Sequence, residues 1–92
     1  MPAPFVSRKI LLVEDDDDLR RAYAAHLKAS GFLVEEAEDV AAAHQIFRTN
    51  RPDIAILDFR LPDGTALDLV PRFKELEPTI PIIVLTGFGS YS

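Results

Sequence analysis

Cysteine is absent from the 92 residues, which excludes a disulfide framework and thiolate chemistry. Long apolar runs are missing as well. No stretch free of charged and polar residues exceeds Ile80 to Leu85, against the ~20 residues a membrane-spanning helix needs. The opening Met1 to Val6 is followed by Ser7-Arg8-Lys9, four aliphatics and then acids, which is not the form of a secretory signal, so a cytoplasmic protein with no membrane partner is expected. There is no excess of positive charge. Ten Lys and Arg against fifteen Asp and Glu give −5, which argues against a nucleic-acid surface. No glycine-rich loop follows the first aliphatic run, so nucleotide binding has no support. Internal repeats and low-complexity linkers are also lacking. The 48% apolar and 27% charged residues are those of a globular chain, sized for one small domain that buries little more than ~60% of its unfolded surface.

Two kinds of segment alternate along the chain. Arg8–Val13, Asp53–Leu57 and Ile80–Leu85 are short aliphatic runs suited to strands covered on both faces, and Phe32–Ala37 turns charged halfway, as an edge strand can. Between them lie helical patterns. Leu19, Ala22, Tyr23, Leu27 and Ser30 share a face that Gly31 terminates, with Tyr23 expected in the core. Asp39 caps a second helix carrying Val40, Ala43, Ile46 and Phe47 inward, and Asn50 and Pro52 end it. A third runs from about Thr65 to Leu76 with Ala66, Leu69, Val70, Phe73 and Leu76 inward, and Pro71 predicts a local irregularity within it and not a break. Strand and helix thus alternate from first strand to fourth. Right-handed crossovers make this an α/β chain with a doubly wound parallel sheet.

Sites in such sheets form at the carboxyl ends of the strands. Glu14 and Asp15 follow the first strand, Asp58 the third, and Thr86-Gly87 the fourth. Three carboxylates gathered at one edge repel one another. Two unit charges ~5 Å apart at an effective dielectric of ~20 cost about 3 kcal/mol, so the cluster holds a proton or binds a cation. Hard oxygen donors suit Mg2+ or Mn2+ better than Zn2+. A carboxylate can also attack phosphorus once a metal offsets the charge, with Thr86 donating to a phosphoryl oxygen and Gly87 leaving the approach open. Together these residues make a phosphoacceptor site.

Leu11-Leu12-Val13-Glu14-Asp15-Asp16, Ile56-Leu57-Asp58-Phe59-Arg60-Leu61-Pro62-Asp63-Gly64 and Val84-Leu85-Thr86-Gly87 together resemble the receiver domain of two-component response regulators, from about Ser7 onward. The resemblance implies the flavodoxin-like receiver fold. Residues 1–7 would be an N-terminal extension and 8–92 a partial receiver domain. It implies that Asp58 takes phosphate from a sensor histidine kinase, which makes the chain a signalling domain and not an enzyme. Asp15, Asp58 and the backbone carbonyl of Arg60 would bind Mg2+ directly, and Glu14 would do so through a water. Thr86 would contact the phosphoryl group as part of the switch, and Leu61 to Gly64 would form the turn that opens the third helix.

One departure accompanies the match. A complete receiver continues with a fourth helix, a fifth strand ending in a phosphate-contacting lysine, and a fifth helix. Lys9, Lys28 and Lys74 are the only lysines, and none follows a strand end. The chain therefore reads as a receiver truncated after its fourth strand. That strand becomes an edge, and the face of the first and third strands is left bare, so a dimer or swapped assembly through the fourth strand is expected. DNA would be reached only through an output domain, with transcription as the expected output.

Simpler readings compete at each position. Asp16, Asp17 and Asp18 serve to cap a helix and complement its dipole. An EF-hand loop starting at Asp15 would put Arg20 and His26 where Gly and Glu are needed. A dehalogenase-type phosphatase needs a second Asp two residues past its nucleophile, where Arg60 stands. His26 and His44 are read as isolated surface or half-buried histidines, and the Arg60 side chain as solvated. The remaining alternative is a truncated or degenerate receiver that only binds or dimerises.

Overall fold

The computed structural model describes residues 7–86. Gly87, and with it the expectation of an open approach to the site, lies outside the described residues, as do residues 1–6. Strands β1 (Lys9–Val13), β2 (Leu33–Ala37) and β3 (Ile54–Asp58) alternate with helices α1 (Asp17–Ala29) and α2 (Val40–Asn50). Two short strands, β4 (Arg60–Leu61) and β5 (Gly64–Thr65), precede a 3-10 turn (Ala66–Asp68), α3 (Val70–Leu76) and β6 (Ile82–Leu85), the fourth strand of the main sheet. That sheet is parallel throughout, in the order β2-β1-β3-β6. The doubly wound α/β architecture is as expected, with β6 at an edge.

Local signals account for most element ends. The Asp16 carboxylate accepts from Leu19 N at 3.0 Å and caps α1, with Asp17 and Asp18 in the first turn. Gly31, at φ +100°, carries the chain out of the helix in a conformation that costs a residue with a Cβ. Asp39 caps α2 through Ala42 N at 2.7 Å, and Pro52 follows its end. Pro71 does more than the local irregularity expected of it, since the third helix is broken and no continuous helix runs from Thr65 to Leu76. Thr65 and Asp68 make a reciprocal capping box around the 3-10 turn, and α3 then starts afresh with the proline in its first turn, where a missing N–H costs nothing. The β4–β5 hairpin around Pro62 and Asp63 was not anticipated as a strand pair. The expected turn at Leu61 to Gly64 forms, but it closes this hairpin and does not open the third helix directly.

The core lies on one face of the sheet. Leu11, Val13, Ala55 and Leu57 point into it, α2 closes it with Ala43 and Phe47, and Leu69 just before α3 and Phe73 within it complete the cover. The Phe47 and Phe73 rings stack with centroids 4.0 Å apart.

The other face departs from expectation. Helix α1 buries Arg20 and Ala24, whereas Leu19 and Tyr23 are about two-fifths exposed, so Tyr23 is not a core aromatic. Its apolar stripe overlooks an open groove of about 590 Å3 lined by Leu12, Ile56 and Ile83; Ile10 and Leu12 are nonetheless buried, so the first strand is not bare as expected, and the open part lies over Ile56 and Ile83. Leu76 likewise stays 40% exposed, at the last turn of a helix only seven residues long.

Candidate functional site

Because β1, β3 and β6 are parallel and in register, their carboxyl ends meet at one edge. Val13 pairs with Leu57, and Asp58 with Leu85. Glu14, Asp15 and Asp58 therefore converge, and one carboxylate oxygen from each lies within 4.8 Å of the others. Glu14 is buried, Asp58 half-buried and Asp15 exposed, so the cluster is a cup open to solvent on one side. Thr86 is exposed and follows Leu85, which places it at the same edge, one residue beyond the level of Asp58. Arg60 lies two residues past Asp58, where it begins the β4–β5 hairpin paired with Thr65; it is exposed, as expected, though not without a partner.

The electrostatics are those of crowded acids. Burial pushes the Glu14 carboxyl up, aided by the charges of Asp58 and Asp15, while the Asp16 backbone N–H at 3.1 Å works against the rise. Asp58 is raised in the same way, by burial first and then by the Asp15 charge, against a hydrogen bond from the Phe59 backbone N–H. Three oxygen donors of this kind, half-withdrawn from water and repelling one another, fit a small hard dication.

Two supporting residues escaped the sequence reading. Arg20 is nearly buried, and its guanidinium donates to the Glu14 carbonyl oxygen at 2.8 Å, to Asp17 at 2.8 Å and to Glu36 at 3.2 Å. It fixes the end of β1 directly behind the acids. A helical arginine close after an acidic run gives no hint of this, because the contact depends on α1 folding back over β1 and β2. Asp63 accepts from the α2 backbone N–H groups of Val40 at 2.8 Å and Ala41 at 3.1 Å. Those bonds hold its carboxyl below the usual range and tie the loop after β3 to the start of α2. Linear spacing offered no signal for it; Asp63-Gly64 read only as a turn.

The lysines are all engaged elsewhere. Lys9 Nζ donates to the Asn50 carbonyl at 2.8 Å and Lys74 Nζ to the Ile80 carbonyl at 2.6 Å, while Lys28 in α1 lies 4.0 Å from Glu36. His26 is exposed, and His44 is half-buried with its ring edge-on to Phe73.

Residues 10–92 match the family described as the response regulator receiver domain. The photosynthetic apparatus regulatory protein RegA of Rhodovulum sulfidophilum is 42% identical over 81 residues, which are 88% of this chain and 44% of that protein. The phosphate regulon transcriptional regulatory protein PhoB of Pseudomonas aeruginosa is 37% identical over 86 residues, 91% of this chain and 38% of PhoB. The chain thus spans less than half the length of these curated relatives. Among solved structures, the non-phosphorylated HemR receiver domain of Leptospira biflexa superposes with a TM-score of 0.84 at 35% identity, covering 89% of this chain and 66% of that one. The response regulator TrrA of Thermotoga maritima, solved with Mg2+ and BeF, gives 0.84 at 26% identity, covering 91% of this chain and 73% of that one.

Proposed function

The chain belongs to the response regulator receiver family, and from that premise we propose that Asp58 is its phosphoacceptor. Receiver domains are signalling domains that take phosphate from sensor histidine kinases. In this reading an Asp58 carboxylate oxygen attacks the phosphorus of a phosphohistidine. The phosphorus–nitrogen bond breaks, its electron pair returns to the imidazole, and an acyl phosphate remains on Asp58. The observation that carries this is the convergence of Glu14, Asp15 and Asp58 within 4.8 Å at the ends of two strands.

Asp15, Asp58 and the Arg60 backbone carbonyl would hold Mg2+ (or Mn2+) directly, with Glu14 acting through a water. A bound dication would supply the positive charge that offsets the carboxylates and the incoming phosphoryl oxygens. Thr86 donates its hydroxyl to a phosphoryl oxygen and moves toward it as the switch, and Gly87 leaves the approach free of a side chain. Arg20 and Asp63 position the cup without touching the phosphoryl group. Residues 8–92 act as the receiver portion and residues 1–7 as a leading extension.

The relatives include transcriptional regulators. Control of transcription through an output region, with DNA contacted there and not by these residues, goes with this reading, as does a cytoplasmic location. No described helix is long and apolar enough to cross a membrane. A second reading, a module that binds or dimerises with little phosphorylation, is favoured by one observation: β6 is an edge strand with Ile83 and Val84 exposed. Sedimentation tests it, with association expected to weaken when Ile83 is replaced by Lys.

The decisive experiment is labelling with acetyl phosphate in Mg2+. The protein should acquire an acid-stable, base-labile acyl phosphate, and Asp58→Asn should acquire none. Undiminished labelling of Asp58→Asn would place the acceptor elsewhere.

A further inference from the structure

On the outer side of the fold, away from the acidic cup, a groove of about 720 Å3 runs between α2 and α3. Arg48 and Arg51 line it at the end of α2 and Arg72 on α3, against one lining carboxylate, Glu75, with Ala41 and Leu76 as its apolar surface. In a chain of net charge −5 this gathers three of the ten basic residues into one place. Most of the other cations are committed. Lys9 and Lys74 bond carbonyl oxygens, Arg20 bonds Glu14, Asp17 and Glu36, and Lys28 faces Glu36. The side chains of Arg48 and Arg72, by contrast, are exposed and make no hydrogen bond or ion pair with any described residue. Arg51 lies 3.7 Å from Glu77, both half-exposed, which leaves most of its donors unused.

The groove is also held in shape. The stacked Phe47 and Phe73 rings lock α2 to α3 beneath it, and His44 packs edge-on against Phe73 at 6.2 Å along the seam. A binding partner would therefore meet donors whose backbone supports are already fixed, which lowers the ordering cost of association.

We infer that this groove docks an acidic polypeptide segment, whose carboxylates take the Arg48 and Arg72 forks on opposite walls while an apolar side chain between them rests on Ala41 and Leu76. Guanidinium forks match carboxylates with two parallel hydrogen bonds. The geometry selects among anions. Arg48 and Arg51 stand at the end of α2 and Arg72 on α3, so an extended segment with several carboxylates can engage more of them than one small anion can. A nucleic acid backbone offers no apolar side chain to rest on Ala41 and Leu76, whereas a peptide does. A peptide carrying acids on both sides of a leucine satisfies both walls and the floor together.

The test uses the whole chain and a fluorescein-labelled peptide of alternating Asp and Glu with one central Leu, followed by fluorescence anisotropy. Binding should weaken with added salt, and Arg48→Glu and Arg72→Glu should each reduce affinity about tenfold or more. Arg21→Glu, on α1, should leave it unchanged. Thermal melts should show that these exposed variants stay folded, and Arg48→Lys, which keeps the charge but loses the fork, should fall between wild type and Arg48→Glu. Amide shifts on titration should concentrate at 41–51 and 72–76. Asp58→Asn should bind the peptide as wild type does, which separates this result from the fate of the phosphoacceptor assignment. Peptide affinity unaffected by Arg48→Glu and Arg72→Glu, shifts confined to the α1 face, or equal competition by inorganic phosphate or a short DNA duplex would overturn the proposal.

Discussion

Replacing Asp58 by Asn should make the metal-free protein more stable, and a divalent cation should erase that gain. The carboxylate oxygens of Glu14, Asp15 and Asp58 lie within 4.8 Å of one another. At that separation each charged pair repels by about 3.5 kcal/mol at an effective dielectric of 20 and by about 0.9 kcal/mol in bulk water. Asp15 is exposed and Asp58 only half-buried, so solvent screening brings the relief to about 1–2 kcal/mol. For a small domain that moves a urea midpoint upward by roughly 1 M. The pH dependence has a definite sign. Glu14 and Asp58 both have carboxyls raised in the folded state, so the native chain binds more protons than the unfolded one above the ordinary values of 4.5 and 3.8. Stability therefore falls as pH rises from those ordinary values through the raised ones, and the penalty is complete above them. Asp58→Asn should flatten part of that decline. Mg2+ affinity should drop over the same range as the acids take up protons. The assay is urea unfolding followed by circular dichroism, in EDTA and in saturating MgCl2, from pH 4 upward. A variant midpoint equal to or below wild type in EDTA, or an advantage that persists unchanged in Mg2+, would refute the view that the three acids share one site.

Phe73→Ala should cost about 3–5 kcal/mol through the cavity and the lost stack on Phe47, enough to unfold much of a domain this small and visible as an early urea transition. Arg20→Met keeps the bulk but frees the Glu14 carbonyl. It should lower stability by about 1.5–3 kcal/mol and weaken Mg2+ binding measured by calorimetry. Asp63→Ala removes the acceptor for two α2 amides, so hydrogen exchange at Val40 and Ala41 should accelerate and the melting temperature fall. Since Asp63 is held below the ordinary carboxyl range, its contribution is present above the ordinary Asp value and lost as pH falls through the lowered one. Wild type and variant should therefore converge in strong acid.

The strands, their parallel order and the acids at their ends were legible because each is a local pattern with a topological consequence. Leu11 to Val13 and Ile54 to Leu57 are aliphatic runs between helical segments, and right-handed crossovers leave little freedom in how such runs assemble. Once β1 and β3 are parallel neighbours, Glu14, Asp15 and Asp58 have to emerge at the same edge. A disturbance at Pro71 was equally local, since a proline ring denies one hydrogen bond wherever it stands, but that it ends one helix and starts another was not.

Tertiary structure decided what periodicity cannot. Helix α1 carries an apolar stripe through Leu19 and Tyr23, yet the side it turns to the sheet is that of Arg20 and Ala24. Spacing reports that a face is apolar, not whether anything covers it. The bonds of Arg20 to the end of β1 and of Asp63 to α2, 23 residues away, exist only because separate segments meet in three dimensions. The amino-acid order by itself determined which side chains reach the acidic edge. The packing of helices against the sheet determined how firmly each is held there, because hydrogen bonds between distant residues and the burial of a charge are properties of the assembled fold.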